Sequence, residues 1–102
     1  MTFFLGFGTV GVQEKTYFKK KRFAVFLPQI SSIEWITQKL NGVLQRLKRL
    51  SKELNIEKSI SISIGIYEIQ FSDSFREIFI KADKALYQAK KSGKNRYEFY
   101  SD

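Results

Sequence analysis

The apolar positions of the chain change between strand-like and helix-like spacing. Phe23–Leu27 is a short, fully apolar run that ends at Pro28, the only proline, and this is typical of a buried strand with a firm stop. Ser59–Tyr67 alternates between serine and isoleucine, which indicates one branched aliphatic face and one small face that lies close under a helix. A last short strand is predicted over residues 95–100.

The first predicted helix covers residues 31–54. It begins with a capping box formed by Ser31 and Glu34. Apolar residues then recur at helical spacing and form one stripe, while lysines and arginines occupy the other faces. The stripe consists of Ile33, Ile36, Leu40, Val43, Leu44, Leu47, Leu50 and Leu54.

The second predicted helix covers residues 74–92. Ser74 and Glu77 form its capping box, and Asp73 is also placed to cap it. Gly93 follows at the point where a helix needs a residue in the left-handed conformation. Its buried stripe consists of Ile78, Ala82, Ala85, Leu86 and Ala89. The order of strand, helix, strand, helix and strand predicts an α/β domain.

Residues 2–12 are apolar and rich in glycine, with G-x-G-x-x-G at Gly6, Gly8 and Gly11. A dinucleotide-binding loop requires a helix to begin at such glycines, because the helix N-terminus holds the pyrophosphate. The sequence that follows, VQEKTYFKKK, has neither a helix cap nor an apolar helical stripe. We therefore expect a glycine-interrupted strand or hairpin and no dinucleotide site.

Composition narrows the functional classes. The 102 residues suffice for one small domain, and the absence of cysteine and histidine excludes disulfides, thiolate metal sites and catalysis by either residue. Residues 1–12 lack the features of a signal peptide, and no apolar run approaches the roughly 18 residues that span a bilayer. We expect a cytoplasmic protein without a membrane partner. The net charge of +8 suits nucleic acid, anionic lipid or nucleotide phosphates, but we favour the interpretation that it is a solvated basic surface.

The segment Ala82–Tyr100, ADKALYQAKKSGKNRYEFY, carries a family resemblance. It resembles the end of the GGDEF domain, the family of bacterial diguanylate cyclases and their inactive relatives. The family pattern there is A-D-x-A-L-Y-x-A-K-x-x-G-R/K-N-R/K, followed by a final strand. The resemblance extends upstream to Phe18 and to the FAVFLP sequence of Phe23–Pro28.

This resemblance implies an α/β fold of the nucleotidyl-cyclase type. The expected form is a sandwich-like α+β domain with a ferredoxin-like palm, a β-hairpin, helix 31–54, strand 59–67, helix 74–92 and final strand 95–100. We expect a single truncated domain over residues 1–102, atypical over residues 1–18 and family-like over residues 19–102.

The motif that names the family has changed in this chain. Where active members carry Gly-Gly-Asp-Glu, the sequence has Lys19, Lys20, Lys21 and Arg22. The family's glycines form a tight turn that lets the backbone approach the nucleotide, and lysine is strained at positive φ. The acidic pair helps to hold Mg²⁺ for phosphoryl transfer, whereas Lys21 and Arg22 carry positive charge. We therefore expect no catalytic residues and no metal or other cofactor.

A second change lies in front of the motif. Residues 1–18 lack the F-x-D-x-D strand of active members, and Val10–Gln13 stands where the inhibitory R-x-x-D product site would lie. The missing strand is central in the family's sheet, so its loss would leave neighbouring strands with open edges. We expect that residues 2–12 supply a replacement strand or that the chain dimerises.

Two functional hypotheses follow from the resemblance. In the first, the chain is catalytically inactive and serves in protein contact, as a homodimer or with another protein, or survives as a gene remnant. In the second, it is a non-catalytic module that binds GTP or cyclic di-GMP. The resemblance implies that Lys90 and Lys94 contact the nucleotide phosphates, although both lysines would also complement the negative end of the last helix.

A third hypothesis is nucleic-acid binding. It would use Lys19–Arg22, the basic helix around Lys39–Lys52, and stacking on the aromatic residues Tyr97, Phe99 and Tyr100. Aromatic residues in a short terminal strand are usually part of the core, and no nucleic-acid motif accompanies the charge. We therefore do not expect a nucleic-acid partner.

Overall fold

A computed structural model of the chain describes residues 1–10, 21–53, 61–93 and 95–101, with the backbone alone at residues 9–10, 21–23, 51 and 61. The elements are the strands β1 (Phe3–Val10), β2 (Lys21–Leu27), β3 (Ser61–Glu68) and β4 (Arg96–Phe99) and the helices α1 (Ile33–Glu53) and α2 (Phe75–Lys91). They form one sheet in the order β2-β1-β3-β4, in which β1 is antiparallel to both neighbours and β4 is parallel to β3. The predicted α/β fold is confirmed.

Strand β1 is the interior strand expected from residues 2–12. It lies between β2 and β3, with Gly6 opposite Ala24 on one side and opposite Gly65 on the other. The N-terminal residues therefore supply the strand with which both β2 and β3 pair. The predicted replacement strand is confirmed.

The two helices pack on opposite faces of the sheet, as the alternation in β3 predicts. The isoleucines of β3 face α1, where Ile36 and Leu40 join them in a buried core. The other members of that core are Phe3, Leu5, Ile62, Ile64 and Ile66. The apolar stripe of α1 continues past this core, so that Leu50 is 50% exposed. Within the described residues, no helix is long and apolar enough to cross a membrane.

On the other face, the backbone of α2 lies directly on the glycine of β3. A Cβ at Gly65 would lie 2.8 Å from the Cα of Leu86, and it would also meet the amide nitrogen of Leu86 and the carbonyl oxygen of Ala82. Ala82, Ala85 and Ala89 on this side of α2 are also buried, so small side chains accompany the close approach. Glycine at position 65 therefore sets how closely α2 approaches.

The predicted caps of α2 are present. The Ser74 hydroxyl accepts a hydrogen bond from the amide of Glu77 at 3.1 Å and donates to the Glu77 carboxylate at 3.2 Å. Beyond the C-cap residue Ser92, Gly93 has a φ of 122°, a conformation that glycine adopts without a steric penalty. Local sequence thus defines both ends of this helix.

Two other predicted caps are wrong. The N-cap of α1 is Ser32 and not Ser31, because the Ser32 hydroxyl accepts a hydrogen bond from the amide of Trp35 at 3.2 Å. Asp73 does not cap α2. Its carboxylate accepts a hydrogen bond from the amide of Gln70 at 2.7 Å and so closes the turn before the helix.

The apolar run Phe23–Leu27 predicted a buried strand, and this prediction is also wrong. Strand β2 lies at the edge of the sheet, with β1 as its only neighbour among the described strands. Ala24 is exposed, as are Val25 (38%) and Phe26 (52%). An apolar run indicates a strand, but it does not specify how many neighbours the strand acquires.

Candidate functional site

The side chain of Lys90, in the last turn of α2, extends over the sheet and is half-buried. A Cβ at Gly8 of β1 would come within 2.8 Å of the Lys90 Cε atom and 3.0 Å of its Nζ atom. Glycine at position 8 therefore leaves the space that the lysine side chain fills. Lys91, the next residue, is exposed, so the two lysines at this helix end have different environments.

The start of β2 lies at the same end of the sheet as Lys90. In the register of β1 and β2, Arg22 is opposite Gly8 and Lys21 is opposite Thr9. The structure thus brings Lys90 close to the backbone of two of the four changed motif positions. Lys19, Lys20 and Lys94 lie outside the described residues.

A cavity of about 430 Å³ lies between α2 and the paired strands β1 and β2. Its lining residues are Phe4, Gly6, Phe7, Ala24, Phe79, Asp83 and Leu86. Lys90 does not line it, although Leu86 lies near Gly8, as Lys90 does. The cavity is therefore largely apolar, with one carboxylate in its lining.

The residues at this end of the sheet do not fit the Mg²⁺ ion that the family resemblance implies. Magnesium is held by carboxylate and other oxygen ligands. By the predicted alignment with the motif, Lys21 and Arg22 stand at its two acidic positions, and the Lys90 ammonium lies near Gly8, the register partner of Arg22. In the part of the chain that the structure describes, no three His, Cys, Asp or Glu side chains come together.

A larger cavity of about 570 Å³ lies on the outer side of α2, against the C-terminal residues. Tyr87, Gln88 and Tyr100 contribute to its lining, and none of the predicted site residues does. Its size alone does not connect it with the changed motif.

Sequence reasoning missed a polar cluster that joins β3 to α2. The Tyr67 hydroxyl donates a hydrogen bond to Asp73 at 2.5 Å, and the Lys81 ammonium donates to the Tyr67 oxygen at 3.2 Å. The Lys81 ammonium also lies 5.1 Å from the centre of the Tyr67 ring. No sequence motif predicts this cluster, because its members belong to a strand, a turn and a helix.

The pKa values of all three groups are shifted from their ordinary values. The hydrogen bond from Tyr67 is the main reason why the pKa of the Asp73 carboxyl lies below its usual range. Burial, followed by the bond to Asp73, raises the pKa of Tyr67. The hydrogen bond to Tyr67 is the main cause of the raised pKa of Lys81. The cluster is therefore a charged pair linked through a neutral hydroxyl, and it stabilises the turn that leads into α2.

The aromatic residues considered for nucleic-acid stacking pack against the core. Tyr97 and Phe99 pack against the cluster beneath α1, and Tyr100 packs against the core on the α2 face. All three are half-buried, so they lie at the margin of the core. On α1, the Lys39 ammonium lies 5.6 Å from the centre of the Trp35 ring, so this exposed pair forms a cation–π contact.

Sequence comparison relates the chain to a known family. Residues 16–96 match the family described as diguanylate cyclase, GGDEF domain. Comparison with curated proteins and with solved structures gives no match. The matched region contains β2, both helices and β3, and so includes the changed motif and Lys90. Because the match covers most of the sequence, the chain belongs to the GGDEF domain family.

Proposed function

We propose that this chain is a catalytically inactive GGDEF domain that acts through contact with protein. The observation that carries the proposal is positive charge where the family's chemistry uses carboxylates. Lys21 and Arg22 occupy the Asp-Glu positions of the motif, and Lys90 lies over Gly8, the register partner of Arg22. Metal-assisted phosphoryl transfer therefore lacks its acidic ligands at these positions.

Coulomb's law gives the approximate energy that metal binding loses when the acidic residues are replaced. Two unit charges about 4 Å apart near a protein surface interact by about 4 kcal/mol, and a divalent ion roughly doubles that value. Exchanging two carboxylates for two cations turns this attraction into repulsion. An arginine also cannot act as a general base, because its guanidinium stays protonated.

A cyclase assay tests the loss of catalysis. Purified protein is incubated with GTP and MgCl₂, and cyclic di-GMP and pyrophosphate are quantified by chromatography. We expect no product above the enzyme-free background, while an active diguanylate cyclase assayed in parallel serves as the positive control. Formation of cyclic di-GMP by the parent protein would overturn the proposal.

A second candidate function is the binding of GTP or cyclic di-GMP without catalysis. It is favoured by the position of Lys90, whose ammonium lies over Gly8 of β1, near the Leu86 side chain that also lines the 430 Å³ cavity. Lysine binds phosphate as a point charge and needs no metal. Lys94 is the proposed second phosphate contact, by its position in the family motif.

Isothermal titration with each nucleotide, with and without Mg²⁺, tests this second function. We expect the double variant Lys90→Ala/Lys94→Ala to lose the binding heat. The matched variant Lys84→Ala/Lys91→Ala removes the same charge from exposed positions of α2 and should bind like the parent. No binding heat in the parent, or equal binding by both variants, would refute the assignment of these phosphate contacts.

A further inference from the structure

Tyr100, the residue after β4, is fixed to β3 by both its backbone and its side chain. Its amide donates a hydrogen bond to the carbonyl oxygen of Ile66 at 2.8 Å and so extends the pairing of β4 with β3. Its ring meets the Tyr67 ring edge to face, with the ring centres 5.5 Å apart. Tyr100 therefore brings an aromatic ring to the place where β3 leads into α2.

The ammonium of Lys81, at the end of the first two turns of α2 (residues 75–81), lies close to both rings. It is 5.1 Å from the centre of the Tyr67 ring and 5.9 Å from that of the Tyr100 ring. It also donates a hydrogen bond to the Tyr67 oxygen at 3.2 Å and lies 3.6 Å from the Asp73 carboxylate, which is 4% exposed. An ammonium within about 6 Å of an aromatic ring is attracted to it, and more strongly where water is excluded. Lys81 therefore links the residue after β4 to β3, to the turn and to the helix.

The first two turns of α2 are held mainly by contacts other than those of the rest of the helix. Ile78 and Tyr67 belong to one small buried cluster, and Tyr100 packs against it. From Ala82 onward, the backbone of α2 rests on Gly65. The contacts of Tyr100 and Lys81 therefore act on the start of the helix and not on its close packing against the glycine.

We infer that Tyr100 and Lys81 form a strap, which keeps the first two turns of α2 and the preceding turn (residues 69–74) closed on the sheet, and that these segments open together when the strap is released. Proteins open locally in cooperative units, and the units with few buried contacts open most readily. Tyr100 also lines the 570 Å³ cavity on the outer side of α2, so opening of the strap removes part of the wall of that cavity. The strap does not depend on the loss of catalysis proposed above.

Native-state hydrogen exchange, followed by NMR, tests the strap. In the parent, the amides of residues 78–81 should exchange as a group and faster than those of residues 86–90. Tyr100→Ala removes an aromatic pair and a cation–π contact together, so the amides of residues 78–81 should exchange at least about tenfold faster than in the parent. The Gln70 amide, which donates to Asp73 in the turn, should accelerate by the same factor, because it belongs to the same unit.

Tyr97→Ala is the matched control. Tyr97 is a half-buried tyrosine of β4, but it packs against the core beneath α1. Its removal should leave exchange at residues 78–81 and at Gln70 within about twofold of the parent, since opening of the strap does not break its contacts. Circular dichroism verifies that each variant is folded.

Lys81→Met provides a second test that does not require the Tyr100 variant to fold. It keeps an unbranched apolar side chain but removes the ammonium, and it should accelerate the same amides. The strap is overturned if residues 78–81 exchange no faster than residues 86–90 in the parent. Unchanged exchange of these amides and of Gln70 in the Lys81 or Tyr100 variant also overturns it, as does equal acceleration by Tyr97→Ala.

Discussion

Replacing Gly65 by alanine is expected to destabilise the protein strongly, because the new methyl group forces α2 away from the sheet. The added Cβ would lie 2.8 Å from the Leu86 Cα atom, whereas ordinary contact begins near 3.4 Å, so the helix must move by roughly 0.6 Å or more. The atoms that it meets are backbone atoms of α2, so no side-chain rotation can relieve the overlap. Overpacking of this kind costs about 1–3 kcal/mol, and we expect a value near 3 kcal/mol.

Urea unfolding measures this loss. Far-UV circular dichroism follows both helices, and the fluorescence of Trp35, the only tryptophan, follows α1. With an m-value of about 1.5 kcal/mol per molar urea, a loss of about 3 kcal/mol lowers the midpoint by roughly 2 M. Since small domains have about 5–15 kcal/mol of total stability, the change is a large fraction of it.

The same substitution at two other glycines provides the controls. A Cβ at Gly42 in α1 meets nothing within 4 Å, so Gly42→Ala should raise stability by about 0.5–1 kcal/mol through helix propensity. A Cβ at Gly8 meets chiefly the flexible end of Lys90, which can move, so Gly8→Ala should cost less than about 1 kcal/mol. If Gly65→Ala were no more destabilising than Gly8→Ala, the close packing of α2 on β3 would be refuted.

Two further predictions concern the start of α2. The pKa of Asp73 is lower in the folded state than in the unfolded state, so the unfolded state binds more protons. The carboxylate therefore contributes its full stabilisation above the ordinary pKa of 3.8, and this contribution is lost as the pH falls through the lowered pKa. Asp73→Asn should therefore reduce stability at neutral pH. The urea midpoint of this variant should also fall less steeply than that of the parent as the pH is lowered from 7 to about 2. An equally steep fall in variant and parent would contradict the prediction. Ser74→Ala removes the N-cap of α2 and should lower the free energy of unfolding by about 1 kcal/mol in the same assay. Ser72→Ala, in the exposed turn before the helix, is the control. Equal losses in the two variants would argue against capping by Ser74.

Local sequence predicted the helices and strands closely. The predicted ends of both helices and of the final strand lie within two residues of those observed. Such signals act over a few residues: Ser74 and Glu77 contact each other directly, and Gly93 adopts its left-handed conformation at the end of the same helix. Interactions of this range do not depend on the rest of the fold.

The choice between neighbouring caps was less secure. Ser31 and Ser32 are adjacent, and either hydroxyl has the chemistry to cap α1. The structure selects Ser32, which shifts the start of the helix by one residue. The sequence also placed Asp73 to cap α2, but its carboxylate accepts hydrogen bonds from Gln70 and from Tyr67 of β3. A competing partner outside the helix does not appear in a capping pattern.

The candidate site was likewise predictable from the sequence only in part. The sequence predicts the changed motif at Lys21 and Arg22, and it contains the family pattern that includes Lys90. The position of the Lys90 ammonium over Gly8, however, joins residues from α2 and β1 that are far apart in the chain. The sequence also offered no reason to connect Gly8 with this lysine, because its glycines predicted only a glycine-interrupted strand or hairpin.

By itself, the sequence determined the family and the order of the helices and strands, since both depend on residue type and short-range spacing. Only the tertiary structure decided that β1 fills the interior of the sheet, that β2 is an edge strand and not a buried one, and that α2 rests on Gly65. The physical reason is that burial depends on the number of neighbours an element acquires. Those neighbours come from distant parts of the chain, and no local pattern records them.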